Sequence, residues 1–191
     1  DIVVSFLLII LTSPAMLLTA LIIKLDDINS PVIYEQIRIG RHGKPFRLYK
    51  FRTMIKDADR LKSELIKLNM MDGPVFKLDN DPRITRVGGF LRKTCLDELP
   101  QFINVLKGDM SIVGPRPPLP EEVDRYNDYQ KLRLLVTPGI TCIWQVQPDR
   151  NTIAFNDWVE MDLYYIEHRN MWLDFKLILK TPLAMLNREG R

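Results

Sequence analysis

Asp97 and Glu98 stand side by side in Leu96-Asp97-Glu98-Leu99-Pro100-Gln101. Consecutive helical residues point about 100° apart, so the two cannot serve one substrate atom as an equivalent pair. They can divide labour: an Asp carboxylate can form a covalent acyl phosphate, and a Glu is a hard-oxygen ligand for Mg2+. The plainer alternative is two acids complementing a helix dipole, worth about 0.3–1 kcal/mol. A second candidate is Gly114-Pro115-Arg116-Pro117-Pro118, where Pro115 and Pro117 fix the backbone around Arg116. A pre-oriented guanidinium fork suits phosphate oxygens, although a rigid loop with an exposed Arg would read the same way. Third, Arg38 to Lys56 carries seven Lys or Arg and no acid. It is either a solvated, headgroup-facing surface or a phosphate-binding one, with Lys50 and Arg52 alternating against Tyr49 and Phe51.

These groups need elements to hold them. Residues 32–39 and 45–52 read as a hairpin around Gly40-Arg41-His42-Gly43-Lys44. Residues 57–69 have helical apolar spacing, and turn signals follow at Asp72-Gly73-Pro74 and Asn80-Asp81-Pro82. A helix from Thr94 to Leu106, capped by Thr94 and stopped by Gly108, would place the two acids in its first turn. Ser111-Ile112-Val113 reads as a buried strand, Glu121–Leu135 as a helix, and Ile140–Val146 as a strand. Phe155–His168 and Met171–Leu186 read as helices; the second suits a core or a membrane interface equally.

The 191 residues fit one compact domain, and 46% hydrophobic with 27% charged excludes disorder and coiled coil as whole-chain descriptions. A net charge of +3 gives no ground for a nucleic-acid partner. Two Cys and two His make neither a disulfide framework nor a zinc pattern. Residues 2–23 contain no charge, and fourteen of the 22 are Leu, Ile, Val or Phe, which favours membrane insertion by about 4–8 kcal/mol. Pro14 should kink that helix across Ile10 to Ser13, with the Thr12 and Ser13 hydroxyls serving backbone groups the proline leaves unpaired. Hydropathy by itself favours a spanning helix. Lys24 and the basic run after it place the C-terminal side in the cytoplasm.

Taken in order, six segments resemble the bacterial sugar transferases, the monotopic polyprenol-phosphate phosphoglycosyl transferases. They are Tyr49-Lys50-Phe51-Arg52-Thr53-Met54, Asp81-Pro82-Arg83-Ile84-Thr85, Leu96 to Gln101, Leu106 to Pro117, Pro138-Gly139-Ile140-Thr141 and Met161-Asp162-Leu163-Tyr164-Tyr165. The resemblance covers essentially the whole chain. It implies transfer of a sugar 1-phosphate from a UDP-sugar to undecaprenyl phosphate, with release of UMP, at the start of exopolysaccharide, capsule or O-antigen type glycan synthesis. It implies Asp97 as nucleophile, forming a phosphosugar-aspartyl enzyme in a ping-pong scheme, and Glu98 as the Mg2+ ligand. Substrate-binding roles follow for Lys50, Arg52, Arg92, Arg116 in its Pro115–Pro117 loop, Arg150 and Asp162.

The resemblance further implies a non-Rossmann α/β catalytic domain over 26–191, helix-rich with short strands and interfacial amphipathic helices. It replaces the spanning helix by a re-entrant one over 1–25, bent at Ser13-Pro14, with both ends on the cytoplasmic face of the bacterial inner membrane. The absence of an initiator Met suggests the C-terminal part of a longer enzyme, and a homodimer is carried forward as a partner state. Two departures stand out: Cys95 where Ser is common, and Pro148-Asp149 ahead of Arg150-Asn151. The sugar is left open. Two other readings stay in play, a Mg2+ phosphohydrolase or nucleotidyltransferase at the membrane and an idle membrane-anchored binding module.

Overall fold

The computed structural model describes residues 1–186 apart from Lys77, Asp79, Asp149 and Asn151. It begins with helix α1 (Ile2–Asp26), the one described helix long and apolar enough to cross a membrane. Pro14 lies inside it and cannot donate to the Ile10 carbonyl; the Ser13 hydroxyl donates there instead, at 2.8 Å. Thr12 donates to the Leu8 carbonyl at 2.7 Å, which Pro14 does not free, so of the two hydroxyls only Ser13 serves the carbonyl that the proline leaves unpaired. One face of α1 is turned to the rest of the protein, with Ser5, Thr19 and Ile23 buried. The opposite face leaves Leu7, Leu11, Leu18, Leu21 and Leu25 exposed. Both ends touch the same body. Asp1 accepts hydrogen bonds from the Ser111 hydroxyl (2.8 Å) and the Ile112 amide (3.3 Å), while Ile23 packs with Phe51 and Leu91.

Strands β1 (Ile33–Ile39) and β2 (Pro45–Phe51) form the expected antiparallel hairpin, with Arg38 opposite Phe46, Gln36 opposite Leu48 and Tyr34 opposite Lys50. Opposed residues share a face, so Arg38, Leu48 and Lys50 lie on one side of the ribbon. Helix α2 (Ala58–Leu65) follows, extended by a 3-10 turn to Leu68.

The expected helix over Thr94–Leu106 is instead a 3-10 turn over Leu96–Glu98 followed by a short helix, and another helix precedes it. Helix α3 (Arg86–Lys93), for which the sequence reading has no element, is capped by Thr85, whose hydroxyl accepts from the Gly88 amide at 2.9 Å. Thr94 ends that helix rather than starting one, and its hydroxyl donates to the Phe90 carbonyl. Cys95 then turns left-handed (φ 52°), Leu96–Glu98 make a 3-10 turn, and Pro100 leads into α4 (Gln101–Lys107). A left-handed residue and a proline without an amide donor break the run that the apolar stripe suggests. Gly108 stops α4 as expected.

Strand β3 (Ser111–Val113) pairs in parallel with β4 (Gly139–Thr141). The strand expected to reach Val146 ends at Thr141, because the chain turns into a 3-10 segment that stacks Trp144 on Trp158 at 4.1 Å. The helix expected over Glu121–Leu135 divides into α5 (Pro120–Val123), α6 (Asp128–Lys131) and a 3-10 turn over Leu132–Leu135. Asn127 restarts it through reciprocal side-chain bonds with Gln130. Helices α7 (Phe155–His168) and α8 (Met171–Leu186) fall where expected. Helix α8 joins both of its alternatives: Leu177 is buried in the core, whereas Met171, Trp172, Phe175, Leu179 and Leu183 form an exposed apolar stripe. The result is a helix-rich α/β fold with short strands and an apolar N-terminal helix.

Candidate active site

The 3-10 turn that carries the two acids is fixed from both sides. Leu96 and Leu99 pack on the cluster of Ile23, Phe51 and Leu91. On the other side Asn104 of α4, fully buried, clamps β2: its Oδ1 accepts from the Tyr49 amide (3.0 Å) and its Nδ2 donates to the Arg47 carbonyl (2.7 Å). That clamp sets the height of Lys50, whose Nζ reaches Glu98 Oε1 at 2.7 Å. Arg92 comes from the last turn of α3 and is held by Nε donation to Thr53 Oγ1 at 2.9 Å. Helix α3 lies close against the strand exit. A Cβ on Gly88 would stand 1.9 Å from the Thr53 carbonyl oxygen, so only glycine allows this approach.

The two carboxylates are made unlike. Burial, with Asp97 only 7% exposed, pushes its pKa up to about 6; Lys50 and Arg92 pull against that, and the charge of Glu98 adds to it. Burial acts on Glu98 as well, but Lys50, Arg116 and Arg150 outweigh it and hold its pKa below the ordinary value. Glu98 is thus a firmly ionised, cation-ringed carboxylate, and Asp97 is the less solvated one.

A cleft opens over Glu98, lined by Arg38, Lys50, Gln101, Arg116, Pro117 and Gln145. Its wall is the 114–118 loop. Prolines at 115, 117 and 118 lack amide hydrogens, so they join the hydrogen-bond network only through their carbonyls. Gly139 N donates to Pro115 O (2.9 Å), Arg38 Nη1 to Pro117 O (3.0 Å) and Ile39 N to Pro118 O (2.9 Å). Gly139 also lies so close to Gly114 that a Cβ would be 2.0 Å from the Gly114 nitrogen.

The structure therefore brings together Asp97, Glu98, Lys50, Arg92 and Arg116, with Pro115 and Pro117 as anchoring points of the loop. Arg150 joins them through its charge on Glu98 and donates to the Gln145 carbonyl at 3.0 Å. The neighbouring positions Asp149 and Asn151 lie outside the described residues. Arg52 is set apart: its Nε donates to the Pro31 carbonyl (3.0 Å), its guanidinium lies over Tyr34, and it borders a separate cavity of about 270 Å³ beside Ile23 and Thr85. Asp162 is set further apart. It is 1% exposed and paired with Arg133, whose Nε donates to its Oδ2 at 2.8 Å and whose Nη1 donates to the Tyr126 hydroxyl at 3.0 Å. Burial raises the Asp162 pKa and Arg133 opposes the rise. Arg38 and Gln145 line the cleft although the sequence reading gives neither a role; the hairpin register, which puts Arg38 on the face of Lys50, is the signal that could have found the first.

Among the described residues there is no cluster of three or more His, Cys, Asp or Glu able to hold a metal by itself. An Mg2+ that keeps waters and completes its shell with substrate phosphates needs only one or two carboxylates, and Glu98, with Oε1 already ion-paired to Lys50, would have Oε2 to offer it. Glu98, ionised and at the cleft, is the residue suited to that.

The family described as bacterial sugar transferase matches residues 1–188. The chain is 49% identical over 162 residues to the galactosyl transferase CpsE of Streptococcus agalactiae, covering 85% of this chain and 36% of that protein. It is 43% identical over its full length to an undecaprenyl-phosphate galactose phosphotransferase of Salmonella typhimurium, covering 40% of it. It is 39% identical, again over its full length, to a UDP-N-acetylgalactosamine-undecaprenyl-phosphate N-acetylgalactosaminephosphotransferase of Aeromonas hydrophila, covering 43% of it. The chain thus spans about two fifths of the length of these relatives. With its acidic pair, its Pro-Arg-Pro wall and its apolar first helix matched from end to end, the chain belongs to the bacterial sugar transferase family.

Proposed function

We propose that this chain is the catalytic part of an enzyme that transfers a sugar 1-phosphate from a UDP-sugar to undecaprenyl phosphate. The observation that carries this is the pairing of a desolvated Asp97 with an ionised Glu98 inside a ring of Lys50, Arg92, Arg116 and Arg150. Two carboxylates among four cations suit a substrate that brings its own negative charge.

In the first step an Asp97 carboxylate oxygen attacks the sugar-linked phosphorus. The bond between that phosphorus and the bridging oxygen breaks, and the electron pair leaves with UMP. Lys50, Arg92 and Arg116 offset charge on the phosphates, which lets an anionic nucleophile approach. In the second step an oxygen of undecaprenyl phosphate attacks the same phosphorus and breaks its bond to Asp97. The products are undecaprenyl-diphosphate-sugar and the free carboxylate. Mg2+ held by Glu98 would neutralise developing charge on the phosphate oxygens. Asp162, paired with Arg133 in the core, enters this scheme as structural support for α7.

The lipid acceptor calls for a membrane. The exposed apolar faces of α1 and α8 support seating at a bilayer, with the basic hairpin toward the headgroups. We further read α1 as re-entrant and the active site as lying on the cytoplasmic face of the inner membrane. The contacts of Asp1 with Ser111 and of Ile23 with Phe51 support that, since both ends meet one body. The two small sheets around this site support a catalytic domain of non-Rossmann type.

The test is UMP release with Mg2+ from UDP-galactose, UDP-N-acetylgalactosamine and other UDP-sugars, with and without undecaprenyl phosphate. Lipid-dependent release is expected for at least one donor. Free sugar phosphate formed without lipid would turn the reading toward a hydrolase, and no release from folded protein toward a binding module. Asp97→Asn should abolish release while leaving the melting temperature nearly unchanged; substantial activity in it removes Asp97 as nucleophile.

A further inference from the structure

Arg38 is 8% exposed, and its guanidinium bonds only neutral acceptors: Nε and Nη2 to Gln36 Oε1 at 3.0 and 2.7 Å, Nη1 to Pro117 O at 3.0 Å. Among the described residues no carboxylate forms an ion pair with it. Burial lowers its pKa, and of the charges acting on it the like charge of Arg116 weighs most, adding to that fall against the smaller pull of Glu122 and Glu98. A nearly buried cation facing another cation is costly unless an anion arrives between them. The bond to Pro117 O is just as telling. The loop that carries Arg116 has no amide hydrogen at 115, 117 or 118; Gly114 N donates to Thr141 O at 3.0 Å, and beyond it the loop is held through what its carbonyls accept. It is held by donors from β4 and from the end of β1, and Arg38 is the side chain among them. Arg38 also lines the cleft with Glu98, Lys50 and Arg116.

We propose that Arg38 is a positioning residue of the donor-diphosphate pocket, fixing Arg116 through the Pro117 carbonyl and sharing with it the charge of an incoming diphosphate. The proposal rests on reading the cleft as the nucleotide-sugar site. A guanidinium is needed because the same side chain must grip Gln36 and Pro117 at once; an ammonium keeps the charge and loses the fork.

The experiment measures UDP binding by calorimetry on the full chain in detergent, for wild type, Arg38→Lys, Arg38→Met, Arg116→Met and the double variant Arg38→Met/Arg116→Met. Arg38→Met should weaken UDP about tenfold or more, and Arg38→Lys by an intermediate factor. The double variant should bind within about twofold of Arg116→Met, because the two act as a unit. In turnover, Arg38→Met should raise KM for the nucleotide sugar far more than it lowers kcat, a split that loss of stability does not produce. UDP binding unchanged in Arg38→Met, or single effects that simply multiply in the double variant, overturns the proposal. If wild type itself does not bind UDP, the donor reading of the cleft fails instead. Should Arg38→Met not fold, Arg38→Lys against wild type carries the same decision.

Discussion

Arg133 and Asp162 face each other in the core, away from the cleft over Glu98. Their ion pair is almost wholly buried, and Asp162 Oδ1 has no partner beyond it among the described residues. Removing one member leaves an uncompensated buried charge, which costs about 3–5 kcal/mol. Arg133→Met should therefore lower the melting temperature steeply, and Arg133→Met/Asp162→Leu should recover most of the loss. Turnover per folded molecule should change little in the double variant. A double variant that is stable but inactive would instead give Asp162 a direct part in the reaction. The acids at 97 and 98, Lys50 and Arg116 are brought together by the fold. Residue type and spacing alone leave a helix-dipole pair and a rigid loop open; only the resemblance over the whole chain singles them out for phosphate chemistry. The pairing of Asp162 with an arginine 29 positions away was not legible in the sequence, since charge and spacing do not say which carboxylate meets which guanidinium. Arg38 was half legible: its strand was identified, but its role depends on the Pro117 carbonyl 79 residues further on.

At the scale of elements, the hairpin is legible from strand-forming residues on either side of turn glycines, and the last two helices from apolar spacing that persists over whole elements. The segment around the acids is not. One apolar stripe from Leu96 to Leu106 looks like one helix, yet a left-handed Cys95 and Pro100 cut the run around a 3-10 turn. Helix α3 escaped notice because Gly88 and Gly89, the poorest helix formers after proline, sit in its middle. Its reason for existing is tertiary: it brings Arg92 to Asp97 by lying against Thr53. Gly88→Ala should thus do more than restore helix propensity, worth about 1 kcal/mol. With the new methyl 1.9 Å from a backbone oxygen, α3 must shift, and overpacking of this kind costs typically 1–3 kcal/mol. The expected outcome is a lower melting temperature together with a loss of UMP release larger than the unfolded fraction explains. Gly89→Ala is the control, since a Cβ there would meet only the Ile84 side-chain methyl at 4.0 Å, and it should be neutral or stabilising. Equal behaviour of the two variants would detach α3 placement from the site.

For the molecule as a whole, the question is what lies against the outward faces of α1 and α8. A 25-residue helix is about 37 Å long, enough to cross a hydrocarbon core of about 30 Å. If α1 crossed it, Asp1 would be carried to the side opposite the catalytic residues, and its bonds to Ser111 and Ile112 would be lost. Keeping them requires both ends on one side, and the Ser13 hydroxyl on the carbonyl freed by Pro14 gives the backbone a place to bend in an apolar medium. Single cysteines at Ile2 and Ile28, both well exposed, in a background with Cys95→Ser and Cys142→Ala, report the topology directly. In sealed inner-membrane vesicles of known orientation, an impermeant maleimide should label both positions from the cytoplasmic face and neither from the other. Labelling of Ile2→Cys from the opposite face alone would restore the spanning helix that hydropathy favours, and would make the Asp1 contacts incompatible with the membrane-bound enzyme.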